Sequence, residues 1–324
     1  MSPLRARVRS RTSAGSRIAL LLNPSAGEGR AGRLHPQLAR KLQAAGEGFD
    51  LFVSQSEEHL RELFARCAVT HRAVVGVGGD STLLIMAGEA RRRGLEVPLG
   101  LIGLGSCNDL AAEYGTDSVA KGVAALRSPR WRRVDSGVVR ANGQEVAFFL
   151  GQVSLGLGTL VNAAVAENPG HWAPKTAIAE ARRAFSQGEL PLTLTVEGGG
   201  RVVTGGCALA AVCNTRRYAG RFHVVPASRP DDGRLDLFAL WVPSFPRLLA
   251  QVAPMASGLR KPPESWSASS FRFFAPRPFT LQVDGEIVGG SDPTPFTEIE
   301  VAVEPASWQV LTRARPRRRP GWRG

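Results

Sequence analysis

Three short turns in this sequence combine glycine with groups that hydrogen-bond to phosphate. Val77-Gly78-Gly79-Asp80-Ser81-Thr82 follows the apolar run Ala73–Val77 without a break. Two glycines let a phosphate approach backbone N–H groups with no Cβ in the way, and a helix opening there adds partial positive charge. Leu104-Gly105-Ser106-Cys107-Asn108-Asp109 follows the next apolar run, Leu99–Ile102. Ser106 and Asn108 can donate hydrogen bonds to phosphate or ribose oxygens. Asn23-Pro24-Ser25-Ala26-Gly27-Glu28-Gly29 makes a third polar, glycine-rich loop after Ile18–Leu22. Each has a plainer reading alone, as a tight turn or as a helix start capped by Asn108 or Asp109. Taken together on one rim they predict a nucleotide cleft.

The elements that must position these turns alternate. Ile18–Leu22, Asp50–Val53, Ala73–Val77 and Leu99–Ile102 read as short buried strands. Between them lie helical stretches at 31–45, with Leu34, Leu38 and Leu42 on one face, after Ser56, and over Thr82–Arg93. Strands alternating with helices imply a mostly parallel sheet covered on both faces, which binds ligands beyond the carboxyl ends of its strands. After about residue 133 the period changes to that of strands. Asn142-Gly143 between Val134–Val139 and Val146–Leu150 signals a hairpin. Further strand-like runs are Leu192–Val196, Val202–Thr204, Ala208–Val212, Leu235–Leu240, Phe271–Phe274 and Leu281–Val283, with one helical interruption near 174–187. This half reads as a β-sandwich. The last pair, Glu298–Val303 and Trp308–Leu311, can return to either half.

With 324 residues and an apolar share of 43%, the chain has material for two domains whose cores need neither disulfides nor metal. Its net charge of +13 is unevenly spread. Residues 1–17 and 313–324 carry 5 and 6 arginines and no acid, leaving 30 basic against 28 acidic side chains in 18–312. The two ends are expected to be disordered basic tails, serving either as a solubilising fringe or as a peripheral contact with an anionic membrane surface. With Trp322 as their one aromatic, they argue against nucleic acid as a partner. Cys67, Cys107, Cys207 and Cys213 form no CxxC pair, and the five histidines show no zinc-binding spacing, which suits a reduced, cytoplasmic protein. No apolar run is long enough to span a bilayer. Oligomeric state is not legible.

The order of motifs resembles the diacylglycerol kinase catalytic-domain family, which includes soluble bacterial lipid kinases and the sphingosine and ceramide kinases. The matching segments are Asn23-Pro24-Ser25-Ala26-Gly27, Gly78-Gly79-Asp80-Ser81-Thr82, Gly103-Leu104-Gly105-Ser106-Cys107-Asn108-Asp109, Asp232-Gly233-Arg234-Leu235 and Asp284-Gly285-Glu286. Val134-Asp135 and Ser154-Leu155-Gly156-Leu157-Gly158 look like further landmarks, so the resemblance spans about 18–312. It implies a nucleotide-binding α/β domain of the NAD-kinase and phosphofructokinase type over 18–133. A lipid-substrate β-sandwich over 134–297 follows, 298–312 return to the first domain, and the active site lies between the two. It implies ATP and Mg2+ as cofactors and a lipid alcohol, diacylglycerol or a relative, as substrate. Asn23, Ser54, Gly78, Gly79, Asp80, Ser81, Thr82, Ser106 and Asn108 would hold the nucleotide. Asp80, Asp284 and Glu286 would lie at the catalytic centre, with Glu286 the proton acceptor. Arg229, Asp232 and Arg234 would hold a structural magnesium with help from backbone oxygens. Taken alone, Asp284-Gly285 reads as a hairpin turn.

Three departures mark this chain. Gly103 stands where the family has proline, Ser106 where it has threonine, and Ser81 where it has the glycine of Gly-Gly-Asp-Gly-Thr. If the position of Ser81 requires positive φ, its Cβ costs roughly 1 kcal/mol or more. That leaves an impaired nucleotide- or lipid-binding protein as an alternative, with NAD kinase, which shares the glycine turn, as another.

Overall fold

The computed structural model describes residues 15–43, 48–105, 107–167, 174–218, 224–256 and 265–313. Residues 1–14 and 314–324 of the basic ends, and Ser106, lie outside the described residues. Gly15–Arg17, expected within the first tail, instead open a strand: Arg17 donates to the Asp50 carboxylate at 2.8 Å, which holds the strand start in place. The chain forms two compact units. The first comprises residues up to 105 with Tyr114–Trp131 and the stretch from Val310. The second comprises Cys107–Glu113 and Arg132–Gln309.

In the first unit β1 (Gly15–Leu22), α1 (Arg30–Gln43), β2 (Phe49–Val53), α2 (Glu57–Thr70), β3 (His71–Gly78), α3 (Asp80–Arg93) and β4 (Leu99–Gly103) alternate as the apolar runs require. The strand order is β2-β1-β3-β4 and every pairing is parallel. Ile18–Leu22 are wholly buried, as expected of a strand covered on both faces. Leu20, Leu22, Leu38, Val75, Val77 and Ile102 share one core. Ser56 caps α2 by accepting the His59 N–H at 3.1 Å. Because β2 flanks β1 on one side and β3 on the other, the chain direction switches between β1 and β3. That is where such sheets open a crevice past their carboxyl ends. Two further helices follow in sequence, α4 (Asp109–Tyr114) and α5 (Val119–Arg127).

After Cys107–Glu113, the second unit continues with β5 (Arg130–Ala141) and β6 (Gln144–Phe149). They are joined by Asn142 and Gly143, both at positive φ as a tight hairpin needs. Then come β7 (Gln152–Gly156), α6 (Leu157–Glu167), α7 (Pro174–Ser186), β8 (Leu192–Gly198), β9 (Arg201–Cys213), β10 (Leu235–Trp241), α8 (Phe245–Ala256), β11 (Trp266–Ala268), β12 (Ser270–Phe279), β13 (Leu281–Val283), β14 (Glu286–Ile287) and β15 (Phe296–Thr312). Val202–Thr204 and Ala208–Val212, read as separate strands, are one. β9 pairs with β8 along its first half and with β7 and β10 along its second, all antiparallel. One strand serving two neighbourhoods in this way curls the sheet around Phe149, Leu194, Phe271, Phe273, Ile299 and Val301. Glu298–Val303 and Trp308–Leu311 likewise form one strand, β15, with Ala306 at φ 51° between them. Residues up to Gln309 group with the second unit, and Val310 pairs in parallel with Leu99 of β4 in the first. No helix among the described residues is long and apolar enough to cross a membrane.

Glu89, buried on α3, accepts from Arg92 at 2.7 and 3.0 Å and also pairs with Arg93. The Arg92 hydrogen bond, with help from Arg93, outweighs burial and lowers the Glu89 pKa. A lowered carboxylate pKa contributes stability above the unfolded value, about 4.3, which disappears as pH falls through the folded value. Glu89→Gln is therefore expected to melt lower than the parent at neutral pH. The gap should close as melts are repeated below about pH 4.

Candidate active site

The first unit brings its three glycine-rich turns together through backbone bonds. The Asn23 N–H donates to the Val77 carbonyl at 2.9 Å, and the Leu104 N–H to the Gly78 carbonyl at 2.7 Å. The loop after β1 and the loop after β4 are thus each tied to the end of β3. Gly27, at φ 61°, packs its Cα against the Leu104 carbonyl so closely that a Cβ would overlap it. A Cβ on Gly78 would strike the Thr82 hydroxyl and lie 3.4 Å from the Asn23 Cβ. Gly79 is different. Its φ is −89° and a Cβ there would meet only ordinary contacts, 3.4 Å from the Gly105 Cα.

Asp80 opens α3, where a carboxylate complements the helix dipole. Thr82 is fully buried, and its hydroxyl has no hydrogen-bond partner among the described residues. Ser54 follows β2, is buried, and donates its hydroxyl to the Leu22 carbonyl at 3.1 Å. The Asn23 side chain accepts the Ser25 N–H at 3.2 Å, fixing the first loop. An edge with clustered loop amides and a helix start suits a polyphosphate. Ser81 sits exposed in the first turn of α3 and is not among the residues at positive φ. The strain considered for its Cβ therefore does not arise.

The second unit holds the remaining candidates. Asn108, at φ 55°, starts α4, its carbonyl accepting the Ala112 N–H at 2.9 Å. Asp284 and Gly285, at φ 47° and 98°, are the turn joining β13 to β14, so the hairpin reading of that pair holds as well. The Asp284 carboxylate accepts three backbone N–H groups: Leu150 at 2.7 Å, Gly151 at 2.9 Å and Gln152 at 2.7 Å. Glu286 begins β14, opposite Val283, and is exposed.

Arg229, Asp232 and Arg234 share the turn before β10. Arg229 leans on Asp231, whose other partner is Arg132 at 2.8 Å. Asp232 accepts the Arg234 N–H at 3.2 Å, and the Arg234 side chain donates to Ser267. Burial, then the nearby Asp236 and Asp135, raise the Asp232 pKa, and burial raises that of Asp236. Among the described residues no group of three or more His, Cys, Asp or Glu could hold a metal. A cation here would rely on Asp232 and backbone carbonyls, since a guanidinium has no lone pair to give.

Sequence reasoning assigned no role to the residues that brace these turns. Buried Asp135 accepts the Gly233 N–H at 2.8 Å and the Ala306 N–H at 2.7 Å. Buried Asn214 donates to the carbonyls of Asp135 and Leu150, each at 2.8 Å. Val134-Asp135 had been visible as a landmark, whereas Asn214 follows β9 with no local signal. Cysteine chemistry has no support among the buried thiols, with burial pushing Cys207 up to about 12 and Cys67 to about 11.

Comparison with known proteins is decisive. Residues 17–139 match the family described as diacylglycerol kinase catalytic domain, and residues 151–312 match the YegS C-terminal NAD kinase beta sandwich-like domain. The chain belongs to the diacylglycerol kinase catalytic-domain family. Two curated diacylglycerol kinases, from two Mycobacterium tuberculosis strains, CDC 1551 / Oshkosh and ATCC 25618 / H37Rv, are each 27% identical to this family member over 229 residues. The matched stretch covers 68% of this chain and 72% of each relative. Two crystal structures from Bacillus anthracis str. Sterne, one titled a putative diacylglycerol kinase and the other a diacylglycerol kinase, share its fold. Their TM-scores are 0.71 and 0.72 at 18% identity, covering 93% of this chain and 99% and 98% of theirs. The protein is a lipid kinase by that membership.

The two glycine environments give opposite expectations for this kinase. Gly27→Ala combines a left-handed backbone with a backbone clash and is expected to cost about 2–4 kcal/mol. Gly79→Ala is expected to stay within about 0.5 kcal/mol of the parent. Denaturant unfolding of both variants checks the contrast.

Proposed function

We propose that this kinase transfers the γ-phosphoryl group of ATP to the hydroxyl of diacylglycerol or a closely related lipid alcohol. The observation that carries the reading is the rim of the parallel sheet. There the loops after β1, β3 and β4 are tied side by side, next to the N-terminus of α3 and the orphaned hydroxyl of Thr82. Backbone amides and a helix dipole hold a triphosphate without side-chain bulk, as Gly78 and Gly79 permit. Asn23, Ser54, Asp80, Ser81, Ser106 and Asn108 complete the proposed nucleotide set. In the transfer the lipid oxygen bonds to the γ-phosphorus, the bond to the bridging oxygen of ADP breaks, and Glu286 accepts the hydroxyl proton. An exposed carboxylate on a braced hairpin is suited to meet a lipid hydroxyl.

Magnesium, when bound to the nucleotide, offsets charge on the transferred phosphoryl group. A second, structural magnesium would be held by Asp232 with the backbone oxygens of Arg229 and Arg234, the hard oxygen set this ion takes. The crowding of Asp232 by Asp236 and Asp135 is the charge such an ion would offset.

Labelled ATP and diacylglycerol in detergent micelles test the assignment. Glu286→Gln is expected to lower kcat by roughly 10²–10⁴-fold. Gly79→Ala, neutral for folding, is expected to raise KM for ATP several-fold. Undiminished transfer by Glu286→Gln would sink the proton-acceptor role. For the structural ion, thermal melts are expected to rise with added Mg2+ at neutral pH. The rise should vanish in Asp232→Asn, and in the parent it should fade as pH falls, starting above the ordinary aspartate range because the Asp232 pKa is raised.

A further inference from the structure

The β13–β14 turn that carries Glu286 is held from two sides. On one side Asp284 holds backbone through both carboxylate oxygens. Its Oδ1 accepts the N–H groups of Gly151 and Gln152, and its Oδ2 accepts that of Leu150. The Asp284 N–H in turn donates to the Gln152 carbonyl at 2.9 Å. The approach depends on Gly151, because a Cβ there would lie 2.6 Å from the Asp284 Oδ1. On the other side α6 acts as a splint. Thr159 and Asn162, three residues apart and so on one helix face, donate to the carbonyls of Thr280 at 3.3 Å and Gly285 at 2.5 Å. The two bonds bracket the segment from the start of β13 to the residue before Glu286.

A carboxylate whose two oxygens already accept three N–H groups is committed to holding backbone. Those three bonds are strongest to the ionised carboxylate and weaken when it takes a proton, so it is poorly placed to exchange protons with a substrate. Asn162 has no charge and no reactive atom, yet its amide donates to the carbonyl of the residue just before Glu286. A left-handed two-residue turn leaves that carbonyl without a strand partner.

We propose that Asp284 and Asn162 are positioning residues for this kinase: Asp284 clamps the turn to the β6–β7 junction, Asn162 braces it from α6, and together they fix the Glu286 carboxylate. The inference rests on the reading of Glu286 as proton acceptor. Asp284→Asn keeps the acceptor oxygen for two amides but turns an N–H toward a third, so the clamp loosens without emptying the site. Asn162→Ala removes the brace, and Asn162→Asp sets an acceptor against the Gly285 carbonyl.

The test is steady-state transfer from ATP to diacylglycerol in micelles across about pH 5–9, with amide hydrogen exchange as a readout independent of activity. Asn162→Ala and Asp284→Asn are expected to lose kcat by roughly 10–100-fold, since misplacing a reacting group by about 1 Å costs on that order. KM for ATP should stay within about twofold, and the acid limb of the kcat profile should persist because Glu286 still titrates. Asn162→Asp should lose at least as much as Asn162→Ala. Asp284→Asn should also exchange the Leu150, Gly151 and Gln152 amides faster. Parental kcat in Asn162→Ala overturns the brace. An acid limb lost in Asp284→Asn, as Glu286→Gln should lose it, would make Asp284 itself the base and overturn the clamp. Should Glu286→Gln keep both rate and limb, the proton-acceptor reading fails first. Protection at Leu150–Gln152 then still reports, separately, whether the Asp284 clamp exists.

Discussion

Backbone amides that run past the end of a strand must find partners, and in the first unit they find them at the end of the neighbouring strand. Asn23 bonds to Val77 and Leu104 to Gly78, so the chain leaving β1 and the chain leaving β4 are each stitched to the end of β3. The glycine positions follow from this stitching. Gly27 is tight because loops sharing a strand end leave no volume for a side chain between them, and Gly78 because the Thr82 side chain of α3 lies where its Cβ would go. Gly79 borders the same loop at Gly105 but has room for a Cβ that the fold does not use. That room is what a phosphate in the proposed nucleotide site would use.

The second unit solves a related problem with acids instead of glycines. Asp135 and Asp284 each spend a carboxylate on backbone N–H groups distant in sequence, joining the turn before β10 to β15 in one case and the β13–β14 turn to the β6–β7 junction in the other. Such charge-assisted bonds are stronger than neutral ones and leave irregular backbone as fixed as a strand. Asn214 lies between the two clusters, bonded to the carbonyls of Asp135 and Leu150. A β-sandwich whose corners are braced this way can present turns that do not drift.

Much of this was legible in the residues. Leu20, Val75 and Ile102 lie in apolar runs too short to be anything but strands, and Ser56 caps α2 as its type and position foretold. Asn142-Gly143 gave its hairpin away because few other pairs adopt two positive φ values cheaply. What stayed hidden had physical causes. α8 contains Pro246 and Pro254, which obscure it in the sequence; the first sits in the opening turn, where an N–H has no helical partner to lose, and the second lies in the closing turn. α6 is apolar nearly throughout and has no periodic stripe to announce it. β9 was split at Gly205-Gly206, which lie inside the strand where it passes between partners. Among candidate residues the glycine turns were visible because their chemistry is local. The partners of Asp284 and Asp135 were not, because a side chain that bonds to backbone about a hundred or more positions away leaves no trace in spacing.

β15 reaches the first unit only at its final residues. Val310 fills the open edge of β4 at Leu99, and Leu311 lies where a Cβ on Gly100 would have to go. On the ribosome, the parallel sheet of the first unit therefore waits with an unsatisfied edge while about two hundred further residues, those between Gly103 and Val310, are made. Synthesis runs in one direction, but closure of the earliest-made layer depends on some of the latest-made side chains. Loss or delay of that terminal stretch would expose a sticky strand in the part of the chain that emerged first.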